Sequence, residues 1–368
     1  MRAPSIRRLA LRLVLPGVCI AIVACGGRGQ PVGPAAPSPA ATAARPAGME
    51  VEPLRTAAQA SQKLIGAAVT SALLRDGRYA GVLGRHFNYL TAEYEMKWDA
   101  IERTRGVRDF SAGDGITAFA QGNGMQVKGH ALIWHGSVPG WVAALPAAEM
   151  RAAVETHIRS VAEHYRGRVR AWDVVNEAIA NDGAGLRDSV FRQKLGDQYI
   201  ADAFRAARQA DPQALLFYND YGGEGLNQKS DRIYDLVAGL KAQGVPIDGV
   251  GLQMHVSTGA RPGDASIAAN MSRLTSLGLL VNISEMDVRV RDVPGDLAAR
   301  LEAQRAVYRS IAAVCVAESR CDGITLWGFT DAHSWIDAQF GADDPLLFDE
   351  QYGAKPAYYG VLDALWRR

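Results

Sequence analysis

The chain has 368 residues, with 40 lysines and arginines against 39 aspartates and glutamates, for a formal net charge of +1. A balance this close to zero removes the electrostatic case for a nucleic-acid partner, which needs a basic footprint. The length suits one α/β domain with a short extension, and a neutral partner is expected.

The first element is a targeting segment over residues 1–25. "MRAPSIRRLALR" is basic, and "LVLPGVCIAIVAC" is apolar but too short to span a bilayer comfortably. Its end, "IVAC", resembles the lipobox of bacterial lipoproteins, with Cys25 as the residue that would be lipidated; an ordinary secretory signal is the other reading. The chain is therefore expected to be exported, as a cell-envelope lipoprotein or a secreted protein, touching membrane only through Cys25. Residues 26–53 are rich in Pro, Ala and Gly and read as a flexible linker. The remainder, 54–368, reads as a single catalytic domain, expected to be a monomer. Cys19 and Cys25 belong to the first segment, which leaves Cys315 and Cys321 as a structural disulfide pair in an oxidising compartment.

Short apolar runs then alternate with helical patterns. Strands are predicted at "KLIGAAV" from 63, "YLTAEYEMKW" from 89, "QVKGHALIW" from 126, "VRAWDVVNE" from 169, "ALLFYNDY" from 214, "DGVGLQMHV" from 248, "LLVNISEMDV" from 279 and "GITLWGFTD" from 323. Between them, "PAAEMRAAVETHIRSVAEHYRGR" places Met150, Val154, Ile158 and Val161 near helical spacing, with Arg151, Glu155 and Arg159 opposite. "LAARLEAQRAVYRSIAAV" is a second such helix. Eight βα units predict a closed (β/α)8 TIM barrel of the α/β class. No Gly-rich phosphate or dinucleotide loop follows the first strand, so an open cofactor-binding sheet loses its usual evidence.

Polar residues collect where these strands end, and in a barrel those ends share one mouth. Glu177 closes the fourth strand and Glu285 lies in the seventh. A lone glutamate at a strand end is commonly an ion-pair partner. Two of them, with Asn176 and His255 beside them, fit the acid and the nucleophile of a glycosidase better. Glu285 and Asp287 are two apart and so share one strand face, where His255 could sit against both and hold Glu285 ionised; a structural role for that histidine is the alternative. Glu177, as proton donor, has to keep its proton at neutral pH. Trp134, Trp327 and Trp335 offer flat apolar faces for sugar rings, although any one of them could be core. His130 and His135 show no zinc-binding spacing, and there is no G-x-S-x-G elbow, so neither a metal nor a serine nucleophile is expected.

Read together, "AEYEMKWD", "GHALIWH", "WDVVNEA", "YNDY", "GLQMHV", "ISEMDV", "LWGFTD" with "HSW", "PLLFD" and "KPAYYG" resemble glycoside hydrolase family 10, the β-1,4-xylanases, over about residues 60–366. The resemblance implies a retaining endo-β-1,4-xylanase acting on xylan or xylo-oligosaccharides without a cofactor. It implies Glu177 as acid/base and Glu285 as nucleophile, with carboxylates about 5 to 5.5 Å apart. Asn176 would bind the hydroxyl next to the reacting carbon, and His255 with Asp287 would tune Glu285. Glu93, Lys97, His130, Trp134 and Gln253 fall on glycone positions, and Trp327 with Trp335 would cover the sugar nearest cleavage. The family often has a cysteine pair where Cys315 and Cys321 stand. Three positions depart from its pattern: Tyr94 for a usual Asn, Ser137 for a frequent Gln and Ile336 for a frequent Arg. The altered glycone contacts keep open a hydrolase of another β-1,4-glycan such as glucan, and a catalytically dead carbohydrate-binding barrel is the reading from a different class.

Overall fold

The computed structural model describes residues 52–366. The targeting segment with Cys25, and the linker up to residue 51, lie outside the described residues. Among the described residues nine strands form: β1 Leu64–Val69, β2 Tyr89–Ala92, β3 Gln126–Trp134, β4 Ala171–Asn176, β5 Leu215–Asp220, β6 Gly249–Leu252, β7 His255–Ser257, β8 Leu280–Arg289 and β9 Cys321–Leu326. Every pairing between them is parallel. β1 pairs with both β2 and β9, and β6 pairs with β8, so eight strands close on themselves while β7 adds only to the end of β8. This is the (β/α)8 barrel predicted from the alternation.

Closure leaves the strands covered on both faces, which is why they read as continuous apolar runs rather than alternating ones. All six residues of β4 are buried. Its Trp172 packs where β3 has glycine: a Cβ at Gly129 would stand 2.1 Å from the indole ring. The helix Ala147–His164 turns Met150, Val154, Ile158 and Val161 onto the barrel and leaves Arg151, Glu155 and Arg159 exposed. Each aliphatic side chain so buried contributes roughly 1.5 to 3 kcal/mol. The helix Leu297–Ala317 is capped by Asp296, whose side chain accepts from the Ala299 N–H at 2.9 Å. Its last turn meets β9 at Cys315 and Cys321, whose sulfurs stand at bonding distance, 2.04 Å. Closing so short a loop contributes about 2 kcal/mol in the chain-entropy account.

Two predicted strands come out differently. The run from 89 leaves the sheet at Ala92; Glu93 to Lys97 form turns, and a short helix, Trp98–Ile101, follows. Met96 and Trp98 are apolar because they pack into the core from that loop, not because they continue the strand. The run from 248 breaks into β6 and β7 at Gln253 and Met254, where Met254 takes φ of +66°. A left-handed residue cannot stay in a ladder, so the chain re-aims there. The consequence is that Gln253 and His255 both turn into the mouth of the barrel.

Candidate active site

β8 carries Glu285 and Asp287, and β7 brings His255 into register with Asp287. The two carboxylates are 5% and 1% exposed. His255 Nδ1 lies 2.7 Å from Asp287 Oδ2, and its Nε2 lies 3.2 Å from Glu285 Oε2. The ring thus bridges both carboxylates, as the two-residue spacing predicts. Burial alone lowers the proton affinity of His255, but the charges of Asp287 and Glu285, and the hydrogen bonds to them, raise its pKa well above the ordinary histidine value. A doubly protonated ring has a donor for each partner. Burial likewise pushes Glu285 upward; the hydrogen bond from His255, the nearby His130 and His255 charges and the Asn219 amide reverse this and bring it down to about 2. Glu285 is therefore an anion across the working pH range, with Asn219 Nδ2 donating to Oε1 at 2.7 Å. Trp335 is fixed to the same assembly, donating through Nε1 to Asp287 Oδ2 at 2.8 Å while its ring stands 5.0 Å from His255.

Glu177 follows β4 and is held by different groups. Trp134 Nε1 donates to Oε2 at 2.9 Å, and Gln253 Nε2 and Asn176 Nδ2 donate to Oε1 at 3.1 and 3.3 Å. Its backbone sits at φ of +57°. That region costs a non-glycine residue of order 1 to 3 kcal/mol and persists only where neighbours over-determine it. Asn176 links the two halves of the site, because its Oδ1 accepts from Asn219 Nδ2 at 2.9 Å and from Gln253 Nε2 at 3.4 Å. With its oxygen so occupied, the Asn176 amide nitrogen faces Glu177 and the space above it.

The floor is aromatic and cationic. Lys97, 7% exposed, sits with Nζ 4.4 Å from the Trp134 ring centroid and 5.8 Å from that of Trp327. Burial lowers its pKa against the opposing pull of Glu285, Glu93, Glu177 and Asp99. Glu93 is raised by burial, with Lys97 acting the other way. His130 Nδ1 lies 2.9 Å from Asp173 Oδ2, and its ring meets Trp327 edge-on at 5.2 Å. Tyr94 alone of the predicted site residues lies out at the surface, 40% exposed. Its hydroxyl donates to Asp99 Oδ2 at 2.9 Å, and Ser137 Oγ donates to the other oxygen of the same carboxylate. Two of the three departures therefore meet on Asp99. The third, Ile336, is buried at the start of the helix Trp335–Phe340 and offers nothing polar.

In the sequence Asn219 is one of the polar residues near the end of the fifth predicted strand, "ALLFYNDY", with nothing to mark its role. Its contact to Glu285 spans 66 residues, and no local signal reports such a pairing. Tyr218 and Lys229, which with Asp220 lie beneath Glu177, carry no sequence signal beyond core and helix positions.

A buried anion held by an imidazolium, facing a second carboxylate across a floor of indoles, is suited to attack at a sugar carbon and proton transfer to its leaving oxygen. Comparison with known proteins gives the family. The family profile described as Glycosyl hydrolase family 10 matches residues 53–364. An endo-1,4-beta-xylanase of Agaricus bisporus is 40% identical over 312 residues, covering 83% of this chain and 92% of its own length. Endo-1,4-beta-xylanase B of Thermotoga neapolitana is 39% identical over 291 residues, covering 78% and 83%. Among solved structures, xylanase 10B from Thermotoga petrophila RKU-1 in complex with xylobiose superposes with a TM-score of 0.83 at 38% identity, over 86% of this chain and 98% of that one. With the profile spanning nearly all the described residues and the barrel shared, this chain belongs to glycosyl hydrolase family 10 and is a glycoside hydrolase.

Proposed function

We propose that the chain is a retaining endo-β-1,4-xylanase in which Glu285 is the nucleophile and Glu177 the acid/base. The observation that carries the assignment is the difference between the two environments. Glu285 is buried, ionised and pinned through both oxygens by His255 and Asn219. Glu177 is more open and is fixed by an indole and two amides. In the first step a Glu285 oxygen bonds to the anomeric carbon as the glycosidic C–O bond breaks, and the Glu177 proton goes to the departing oxygen. Water then adds to the same carbon, giving its proton to Glu177 as the ester to Glu285 breaks. Both glutamates return to their starting states, and a carboxylate separation of about 5 to 5.5 Å is the one this route requires.

Xylan as substrate rests on the xylanases that this chain is similar to, one of them solved with xylobiose. Reducing-sugar release from xylan, set beside cellulose and mannan, tests it. Preferential release from xylan supports the reading. Preference for a glucan would make the enzyme a hydrolase of another β-1,4-glycan, and no release from any of them would leave a sugar-binding barrel.

At the glycone end, Tyr94→Asn is expected to raise kcat/KM on xylo-oligosaccharides, because the tyrosine hydroxyl is spent on Asp99 rather than on sugar. The gain should be on the scale of one hydrogen bond, about 0.5 to 1.5 kcal/mol. A loss of efficiency would show that the exposed ring itself holds a sugar.

A further inference from the structure

Glu177 is held in a strained conformation, and the groups that hold it are not those that touch its carboxylate. Its N–H donates to the Asn219 carbonyl at 2.8 Å, and its own carbonyl accepts from Arg187 Nε at 2.9 Å. The next two N–H groups, of Ala178 and Ile179, both donate to one atom: the hydroxyl oxygen of Tyr218, at 3.0 and 3.2 Å. That hydroxyl donates in turn to Asp220 Oδ2 at 2.5 Å. Asp220 Oδ1 is paired with Lys229 Nζ at 2.8 Å, and Oδ2 also accepts from the Ile179 N–H at 3.3 Å. A phenolic oxygen has one proton and two lone pairs, and here all three are used.

Tyr218 and Asp220 are both 0% exposed. Water therefore cannot replace the hydroxyl, and without it the buried Ala178 N–H loses its acceptor while the Ile179 N–H keeps only its longer bond to Asp220 Oδ2, and an unsatisfied buried donor is costly. The chain can relieve that cost only by moving the backbone just after Glu177, where φ is already +57°. We propose that Tyr218 is a positioning residue for the proton donor: its hydroxyl, oriented by Asp220 and Lys229, clamps the two amides after Glu177 and so aims the Glu177 carboxyl at the leaving oxygen. The inference rests on Glu177 being the acid/base. It assigns a catalytic consequence to a tyrosine that does not touch the Glu177 carboxyl.

Tyr218→Phe removes one oxygen and little else, so the test reads which step suffers. Each variant is compared on xylan, whose leaving oxygen needs a proton, and on a dinitrophenyl xylobioside, whose leaving group does not. Tyr218→Phe should lower kcat/KM on xylan about 10- to 100-fold, the range in which a misaimed general acid forfeits its contribution, and alter glycosylation by the aryl substrate less than about 3-fold. Asp220→Asn keeps the tyrosine oxygen but removes the anion that orients it, and should show a smaller split in the same direction, which keeps the claim testable should the phenylalanine variant not fold. An equal fall on both substrates, or no fall on either, would overturn the clamp. Glu177→Ala in the same assay separates the two ideas: if it shows the leaving-group split and Tyr218→Phe does not, the clamp alone is wrong. If it shows none, the acid assignment is wrong and the clamp goes with it.

Discussion

Glu177→Ala is expected to lose about 10²- to 10⁴-fold on xylan yet to form its glycosyl-enzyme at nearly full rate from an aryl glycoside with a good leaving group. Added azide should then accelerate turnover of that intermediate and yield a β-configured glycosyl azide, since a small anion needs no general base. Glu285→Ala should be nearly inactive on both substrates, because no covalent intermediate can form. Azide could only attack its bound substrate directly, and the product would be the α anomer. These outcomes follow from the geometry around each carboxylate: Glu285 is an oriented anion and Glu177 sits among neutral donors. Exchange of the two behaviours would reverse the roles. Near-wild-type activity in both would remove the glycosidase mechanism altogether.

His255→Leu should produce the second large effect, on pH dependence and stability together. Glu285 has its pKa brought down to about 2 in the fold against roughly 4.3 in an unfolded chain. Its contribution is present above that unfolded value and is lost as pH falls towards 2. His255 is shifted the opposite way, well above its ordinary value. Its contribution is complete below about pH 6.5 and is lost as pH rises through the raised folded value. Both are at full strength between roughly pH 4.5 and 6.5. Removing the imidazolium leaves Glu285 and Asp287 buried without their common cation, and breaking a buried pair in this way costs about 3 to 5 kcal/mol. The melting temperature of His255→Leu should therefore fall furthest below wild type in that window and approach it at pH 2 to 3. The acid limb of kcat/KM should move upward as Glu285 regains its proton more readily. An unchanged acid limb would mean that His255 does not govern the ionisation of Glu285.

How much of this could be read from the residues alone depends on where each signal is local. β3 coincides with its predicted bounds, and β8 is displaced by one residue; each is buried along nearly its whole length, so apolar residues recur on both of its faces. β2 and β6 misled because other apolar residues adjoin them. Met96 and Trp98 reach the core from a loop, and Met254 takes a left-handed φ that glycine would have signalled and methionine does not. In the site, the spacing of Glu285 and Asp287 on one strand is enough to anticipate His255 between them. The amide chain from Glu285 through Asn219 and Asn176 to Glu177 is not legible in the same way, since it links β8, β5 and β4 and depends on barrel closure to bring them together.

The carboxylate of Asp99 couples two residues that are distant in sequence. Tyr94 and Ser137 each satisfy one oxygen of Asp99, so neither substitution is neutral to the other. Replacing Ser137 by alanine would take the hydroxyl donor from one oxygen of Asp99, and replacing Tyr94 by alanine would take the donor from the other and free Arg103, which also reaches the tyrosine hydroxyl at 3.3 Å. Because both side chains bond the one carboxylate, the two positions are expected to be energetically coupled. Their measured effects on oligosaccharide turnover should depart from additivity by more than the roughly 0.3 to 0.5 kcal/mol seen for independent sites. A double-mutant cycle that closed within that margin would show that the shared carboxylate does not couple the two positions.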